Sequence, residues 1–397
     1  MLMKIPLLKT ILGDYFQEIP LAVAQLSHQK VRLLVALSGI GFANILIFMQ
    51  LGFSALLFDG VTRIHEHLKG DLFLVSKRTK YLGEQPFSKR QLYQVAAVDG
   101  VAEASPFYYS SQGTWVNPET KEMTNVVVIA FNPAQPVMDL PEVNQQLEQI
   151  KLPNTVLFDS KSQAILGPVT KWLAHQKTIT TELSGRRIKV GGTFTLGSTL
   201  FKSGHLITSD WNYLRLFGPD SIDEIHVGII TLRPGADIQT VLKNIQAILP
   251  DDVTVMTRQK FVESEIAYWS QNPSGVIFSF GTIMGFIVGV VIVYQVLYSD
   301  VNDHLAEYAT LKAIGYSGMQ LLAVVFTEAI ILAVLGFIPG FSCAIGMYMV
   351  LGNLTQIPIA MRADVALQVF ILTVLMCMIS AAIAARKLQS ADPADVF

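Results

Sequence analysis

Gly192, Thr193, Phe194, Thr195, Leu196, Gly197, Ser198 and Thr199 have the spacing of a phosphate-binding loop. Such a loop holds the β- and γ-phosphates through a lysine set between its second glycine and its hydroxyl residue, and here Ser198 follows Gly197 directly. The stretch therefore reads as a β-turn and leaves the chain without a nucleotide site. His65 and His67 stand two apart just beyond an apolar run. That spacing splits them across a helix, so surface positions are expected rather than a shared metal. No paired carboxylates, nucleophile motif or Cys/His metal spacing stands out. Glu328 is the one clear ionisable residue inside an apolar run. A carboxyl there is costly unless it faces a partner or a cavity, so a helix-to-helix hydrogen bond and a part in transport both stay open.

Residues 299–319 form a short polar segment between two long apolar runs. Val301, Leu305, Tyr308, Leu311 and Ile314 recur at spacings of three and four, which predicts one short amphipathic helix. Gly315 supplies its C-terminal stop, and Ser317-Gly318 a turn. A helix placed this way can lie along a membrane face and present a side to a soluble partner. Leu305, Tyr308, Leu311 and Ile314 would be the apolar side that enters the partner's groove.

The elements that must position these residues follow from composition. The chain has 397 residues, 51% apolar and only 15% charged. Soluble domains carry about 25% charged residues, so this is expected to be a membrane protein. A net charge of -2 argues against a nucleic-acid partner. Both cysteines, Cys343 and Cys377, fall inside apolar runs, which leaves no sign of disulfide or redox chemistry in the polar part.

Taken in order, residues 1–32 mix apolar and charged positions, with Leu8, Ile11, Leu12, Tyr15, Phe16 and Ile19 on one face. This predicts a cytoplasmic interfacial helix rather than a cleavable signal peptide. Residues 33–58 are a charge-free first span (TM1). Lys30 and Arg32 before it put the N-terminus inside. Residues 59–272 are a large mixed α/β segment on the outer side. Strands at 71–76, 101–116, 224–232 and 253–257 alternate with helices at 61–68, 89–97, 237–249 and 259–269. This βαβ-like rhythm at both ends suggests one domain closed from both ends. The strand-rich middle, about 133–221, is a candidate inner lobe. Residues 273–299 are the second span (TM2), with Gly281, Gly285 and Gly289 on one side at a spacing that lets helices pack closely. Residues 300–318 hold the short helix. A third span, 319–354 (TM3), carries Pro339-Gly340 near its middle, as a kink or an outer shoulder would. A fourth, 365–385 (TM4), precedes Arg386 and Lys387, which put the tail 386–397 inside. The fold class is thus four transmembrane helices with a large α/β domain between the first two.

Glu307-Tyr308-Ala309-Thr310-Leu311-Lys312-Ala313-Ile314-Gly315 resembles the E-x-x-x-L-(K/R)-A-(I/M)-G stretch of ABC-transporter permeases of the MacB/FtsX type. The stretch that begins at Glu328-Ala329 and runs through Leu332, Gly336 and Gly340 resembles that family's third span. Lys30 through Ile40 resembles its approach to the first span, with apolar residues where the family has threonines. Within the family, the chain resembles the cyanobacterial DevC type of exporter permease.

The resemblance implies that 307–315 is the coupling helix on a separate ABC ATPase subunit. That subunit would bind ATP and Mg, leaving this chain no cofactor and no catalytic residue of its own. It also implies a homodimer in the bacterial inner membrane with both termini cytoplasmic, a periplasmic adaptor, an outer-membrane channel and glycolipid-like cargo. Glu328, Gly336 and Gly340 then take structural roles in the third span. Two alternatives remain at this stage, a lipoprotein-releasing permease and a non-transporting regulator of a periplasmic cell-wall hydrolase.

Overall fold

The structure, a computed structural model, describes residues 30–175, 179–355, 357 and 359–390. Of the helix expected at 1–32, residues 1–29 lie outside the described residues, as do 391–397 of the expected tail. The chain divides into a helical unit (Met1–Ala55, Val276–Val350, Ile359–Phe397) and an α/β unit (Leu56–Gly275, Leu351–Pro358).

Among the described residues, four helices are long and apolar enough to cross a membrane: Leu33–His67, Pro273–Asp303, Gly318–Thr355 and Ala363–Arg386. The first belongs to the helix described over Lys30–His67, which runs past position 58. Asp59 ends the apolar run but not the helix, because Val61, Ile64 and Leu68 continue the three-to-four spacing. The stretch at 61–68, expected as a separate helix, is thus its last turns. The third is one continuous helix, Gly318–Thr355, with Pro339 inside it.

Close contact holds these helices together. A Cβ added at Gly281 would come within 2.4 Å of Gln50 Cδ, at Gly285 within 3.0 Å of Ile47 Cγ1, and at Gly289 within 2.4 Å of Met376 Sδ. The glycine stripe therefore packs inside this chain, against the first and fourth helices. Gly336 meets Ile40, and Gly340 meets Asn44 and the Gly41 backbone, in the same way. Helices in lipid lack a hydrophobic drive toward each other, so such close approach and buried polar contacts must supply association. Thr373 Oγ1 donates to Asn44 Oδ1 (2.7 Å), Ser380 Oγ donates to the Val290 carbonyl (2.8 Å), and the Tyr348 hydroxyl donates to the Phe48 carbonyl.

The α/β unit contains eleven strands among the described residues: β1 (Leu72–Ser76), β2 (Phe87–Ser88), β3 (Val101–Val116), β4 (Met123–Phe131), β5 (Thr155–Asp159), β6 (Ile179–Leu183), β7 (Arg186–Phe194), β8 (His205–Ser209), β9 (Glu224–Ile225), β10 (Val227–Leu232) and β11 (Val253–Thr257). Nine form one sheet in the order β11-β1-β10-β3-β4-β8-β5-β7-β6. β1 lies between β10 and β11, so the two ends of the segment close the same sheet edge. Those pairings are antiparallel, unlike true βαβ units. Parallel pairing occurs only at β4–β8 and β5–β7 within the described sheet. The lobe expected at about 133–221 is corrected by this topology: its strands β5 to β8 continue the sheet through β4.

The sheet is covered on both faces, and its strands show why. Successive side chains of a strand point to opposite faces. On β4, Val126, Val128 and Ala130 enter one core, and Val127, Ile129 and Phe131 the other. Leu92 and Val95 of the helix Lys89–Ala96, with Val241 and Ile245 of the helix Ile238–Ile248, cover the first face. Ile64, Leu68 and Phe261 lie on the second.

His226, between β9 and β10, is a pH-sensitive joint in this sheet. Its Nδ1 accepts the backbone N–H of Tyr109 at 3.2 Å. Burial pushes its pKa down from the ordinary 6.5 to about 4. The neutral ring is thus favoured in the folded state. Its contribution is complete above pH 6.5 and is lost as pH falls from 6.5 toward 4, by about 3 kcal/mol at most. Thermal melts of the full chain should fall more steeply over that range than those of His226→Asn, whose amide oxygen can still accept from Tyr109. Parallel pH profiles for the two proteins would refute this.

Candidate functional site

The site begins at a break between two helices. The helix Pro273–Asp303 ends, and the short helix Leu305–Ala313 follows after His304. Val301, expected on the short helix, belongs to the preceding one. Glu307 in the first turn and Lys312 in the last match the helix dipole. The C-terminus is closed by two bonds: the Tyr316 N–H donates to the Leu311 carbonyl (3.1 Å), and the Gly315 N–H to the Lys312 carbonyl (3.2 Å). This is a Schellman arrangement, and it places Gly315 at φ +111, where a side chain would be strained. Ser317 does more than turn the chain. Its N–H donates to Gln320 Oε1 (2.9 Å), and its hydroxyl accepts from the Gln320 N–H (3.3 Å), a capping box that starts the helix Gly318–Thr355. The S-x-x-Q spacing was a legible signal for it.

Orientation corrects the sequence expectation. Tyr308 is 1% exposed, and Leu305 and Leu311 pack against the same helical core. Tyr308 is thus occupied within this chain, while Leu305 and Leu311 are only partly covered. Ile314 alone of the expected apolar side is open, at 73% exposure. The outward row is Glu307, Thr310 and Ile314, all exposed, at helical spacing. Tyr316 and Met319 extend this exposed surface beyond the helix.

Glu328 lies fully buried in the next helix. Neither of its carboxyl oxygens reaches a hydrogen-bond partner of good geometry among the described residues. The ionisable group it faces is Asp300, near the end of the helix Pro273–Asp303. It therefore stands between the two long helices that the short helix joins. Asp300 in turn lies 3.7 Å from His304 Nδ1.

Residues 278–393 match the FtsX-like permease C-terminal domain. The FtsX-like region contains the short helix, Glu328 and most of the last three long helices. Over 331 residues the chain is 25% identical to an uncharacterized ABC transporter permease of Mycobacterium tuberculosis, found in strains CDC 1551 and H37Rv. That alignment covers 82% of this chain and 84% of the relative. Among solved structures, the chain is similar to the periplasmic region of MacB from Actinobacillus actinomycetemcomitans, with a TM-score of 0.35 and 10% identity, over 51% of this chain and 94% of that one. It is also similar to the extracellular domain of the noncanonic ABC-type transporter YknZ from Gram-positive bacteria, with a TM-score of 0.31 and 13% identity, over 47% and 99% respectively.

Outside the FtsX-like region, the α/β unit holds polar groups that local pattern did not reveal. Arg258 Nη1 donates to the carbonyls of His65 and Glu66, and Nη2 to those of Leu68 and Gly70. The guanidinium thus closes the C-terminus of the first long helix from 190 residues away, Leu68 to Arg258. His65, expected at the surface, is 1% exposed. Its Nε2 lies 3.5 Å from Glu265 Oε2, and its ring meets Phe261 edge-on. Burial follows from its face: His65 lies next to Ile64 on the side that covers the sheet. His67 instead places Nδ1 3.3 Å from the Asp139 carbonyl.

The loop-like stretch at 192–199 is also redefined. Its first half is the end of β7. In the second half, the backbone N–H groups of Leu196 and Gly197 donate to the Asp159 carboxylate, at 3.1 and 2.8 Å. A carboxylate thus occupies two backbone donors that a phosphate would need.

Proposed function

We propose that this chain is the membrane permease subunit of an ABC exporter, driven by a separate ATPase that binds ATP and Mg. The FtsX-like match over 278–393 and the description of the mycobacterial relatives as ABC transporter permeases support this reading. The observation that carries it is the exposed row Glu307, Thr310 and Ile314 on a short helix capped at its C-terminus and followed at once by a capping box. Such a helix keeps its apolar side on its own bundle and offers a defined, mixed polar and apolar face to a soluble partner.

In this reading the ATPase sits on that face at the cytoplasmic side of the bacterial inner membrane. Both termini are cytoplasmic, and the α/β unit is periplasmic. Two copies of the chain form the working unit with two ATPases. Closure of the ATPases is relayed to the periplasmic units, which act on a glycolipid-like cargo together with an adaptor and an outer-membrane channel. Glu328 acts as a structural link between the helices that flank the short helix.

Photo-crosslinking tests the central contact. A photoreactive side chain at Thr310 should capture the ATPase subunit in membranes, and one at Ser221, in the α/β unit, should not. Capture from Ser221 but not from Thr310 would overturn the reading.

A further inference from the structure

The α/β unit contains a cavity of about 240 Å³ that the function proposed above does not use. Small-molecule sites usually run from about 300 Å³ upward, so this one suits a single ring or a headgroup rather than a whole lipid. One wall is aromatic. Tyr81 stacks on Tyr268 with centroids 5.2 Å apart, and Phe201 on Trp269 at 5.5 Å. Phe201 is 48% exposed, so this wall offers apolar surface to an occupant. The lining also includes Thr199, Ser111 and Lys202.

The charges in and around this cavity are unequal in their partners. Glu265 is buried, and both its oxygens are committed: Oε2 accepts the Leu82 N–H (2.8 Å), and Oε1 accepts Trp269 Nε1–H (2.9 Å). His205 Nδ1 lies 3.4 Å from Asp159 Oδ2. Lys202 has only the Ser111 carbonyl, at 3.4 Å, and no carboxylate within ion-pair distance among the described residues. Burial lowers its pKa below the ordinary lysine value. Its amine is half-buried with no anionic partner among the described residues, and a counter-charge there would offset the cost of that burial.

We propose that this cavity binds a small amphipathic anion, with its carboxylate or phosphate on Lys202 Nζ and its apolar body against Tyr81, Phe201, Tyr268 and Trp269. A cation is less well served, because each Glu265 oxygen already accepts a hydrogen bond from within the chain. A purely apolar ligand would leave Lys202 uncompensated. The site lies wholly within the α/β unit and does not rest on the ATPase reading.

The test uses the full chain in phosphatidylcholine nanodiscs, titrated by calorimetry with 4-phenylbutyrate, phenyl phosphate and the neutral 4-phenylbutanamide. The two anions should bind saturably and at least about 10-fold more tightly than the amide, the effect of one charge-assisted hydrogen bond. Lys202→Ala should weaken both anions by about 10-fold or more without changing amide binding, and Lys202→Arg should restore most of the loss. Phe201→Ala, at a half-exposed position that folding tolerates, should weaken all three probes. Equal binding of anions and amide, no binding of any probe, or anion binding unchanged in Lys202→Ala would overturn the proposal. A second series adds phosphatidylglycerol to the nanodiscs. Blocked probe binding supports the site with a lipid headgroup as occupant, and unchanged binding supports it with a free acid.

Discussion

Replacing Arg258 with alanine is expected to lower the melting temperature of the α/β unit by about 10 °C. The guanidinium serves four carbonyls at the end of the first long helix and lies 5.6 Å over the Phe73 ring. Hydrogen bonds from a charged donor are worth about 1.5–3 kcal/mol each, but an exposed carbonyl such as that of Glu66 recovers water when released. A net loss of about 3 kcal/mol follows, and for a unit of this size each kcal/mol moves the midpoint by roughly 2–4 °C. Arg258→Lys should recover less than half, because one ammonium cannot fork to carbonyls on both sides. Hydrogen exchange localises the effect. Amides of 64–76 and 253–261 should exchange faster, and those of β5 and β7, at the far part of the sheet, should not. A melting temperature within about 2 °C of the wild type would show that the carbonyls are served equally well by water.

Ile314→Asp is expected to weaken association with the proposed ATPase by about 30-fold or more. Ile314 is the most exposed apolar residue of the short helix, and truncating an interface anchor costs about 2 kcal/mol. An aspartate there adds an unpaired charge to the loss of apolar contact. Tyr308→Ala should behave differently. Its ring is buried in the helical core, so removing it leaves a cavity worth about 3 kcal/mol and lowers the yield of inserted, folded chain. Tyr308→Ala protein that does fold should still hold the ATPase more tightly than Ile314→Asp. Pull-down from detergent, normalised to inserted protein, separates the two effects. Wild-type association for Ile314→Asp would remove the outward row as the contact.

The contrast between Ile314 and Tyr308 marks the limit of what periodicity carries. The spacing of Leu305, Tyr308, Leu311 and Ile314 was enough to predict a helix with one apolar side, and Gly315 was enough to predict where it stops. Both depend on neighbours within a turn or two. Periodicity does not say whether an apolar side meets a partner or the helix's own bundle. Here the bundle claimed it, because a core of Val301, Leu321 and Val325 was already present to receive Tyr308.

The same division runs through the rest of the chain. Long charge-free runs were sufficient to predict four spans, since a helix in lipid satisfies its backbone internally and needs only length and apolarity. The glycines at 281, 285 and 289 announced a close-packed face, but their neighbours at Gln50, Ile47 and Met376 required the folded bundle. In the α/β segment, the stretches at 71–76, 101–116 and 253–257 were legible as strands, now β1, β3 and β11, and the two ends of the segment were legible as one domain. The antiparallel pairing of those ends and the absorption of 133–221 into one sheet were not, because strand register is set between residues far apart in sequence. His65 was misjudged for a related reason: its burial depends on Phe261 and Glu265. Arg258, Glu265 and Lys202 had no local signature at all. Their roles come from carbonyls, rings and an empty space that only the tertiary fold brings to one place.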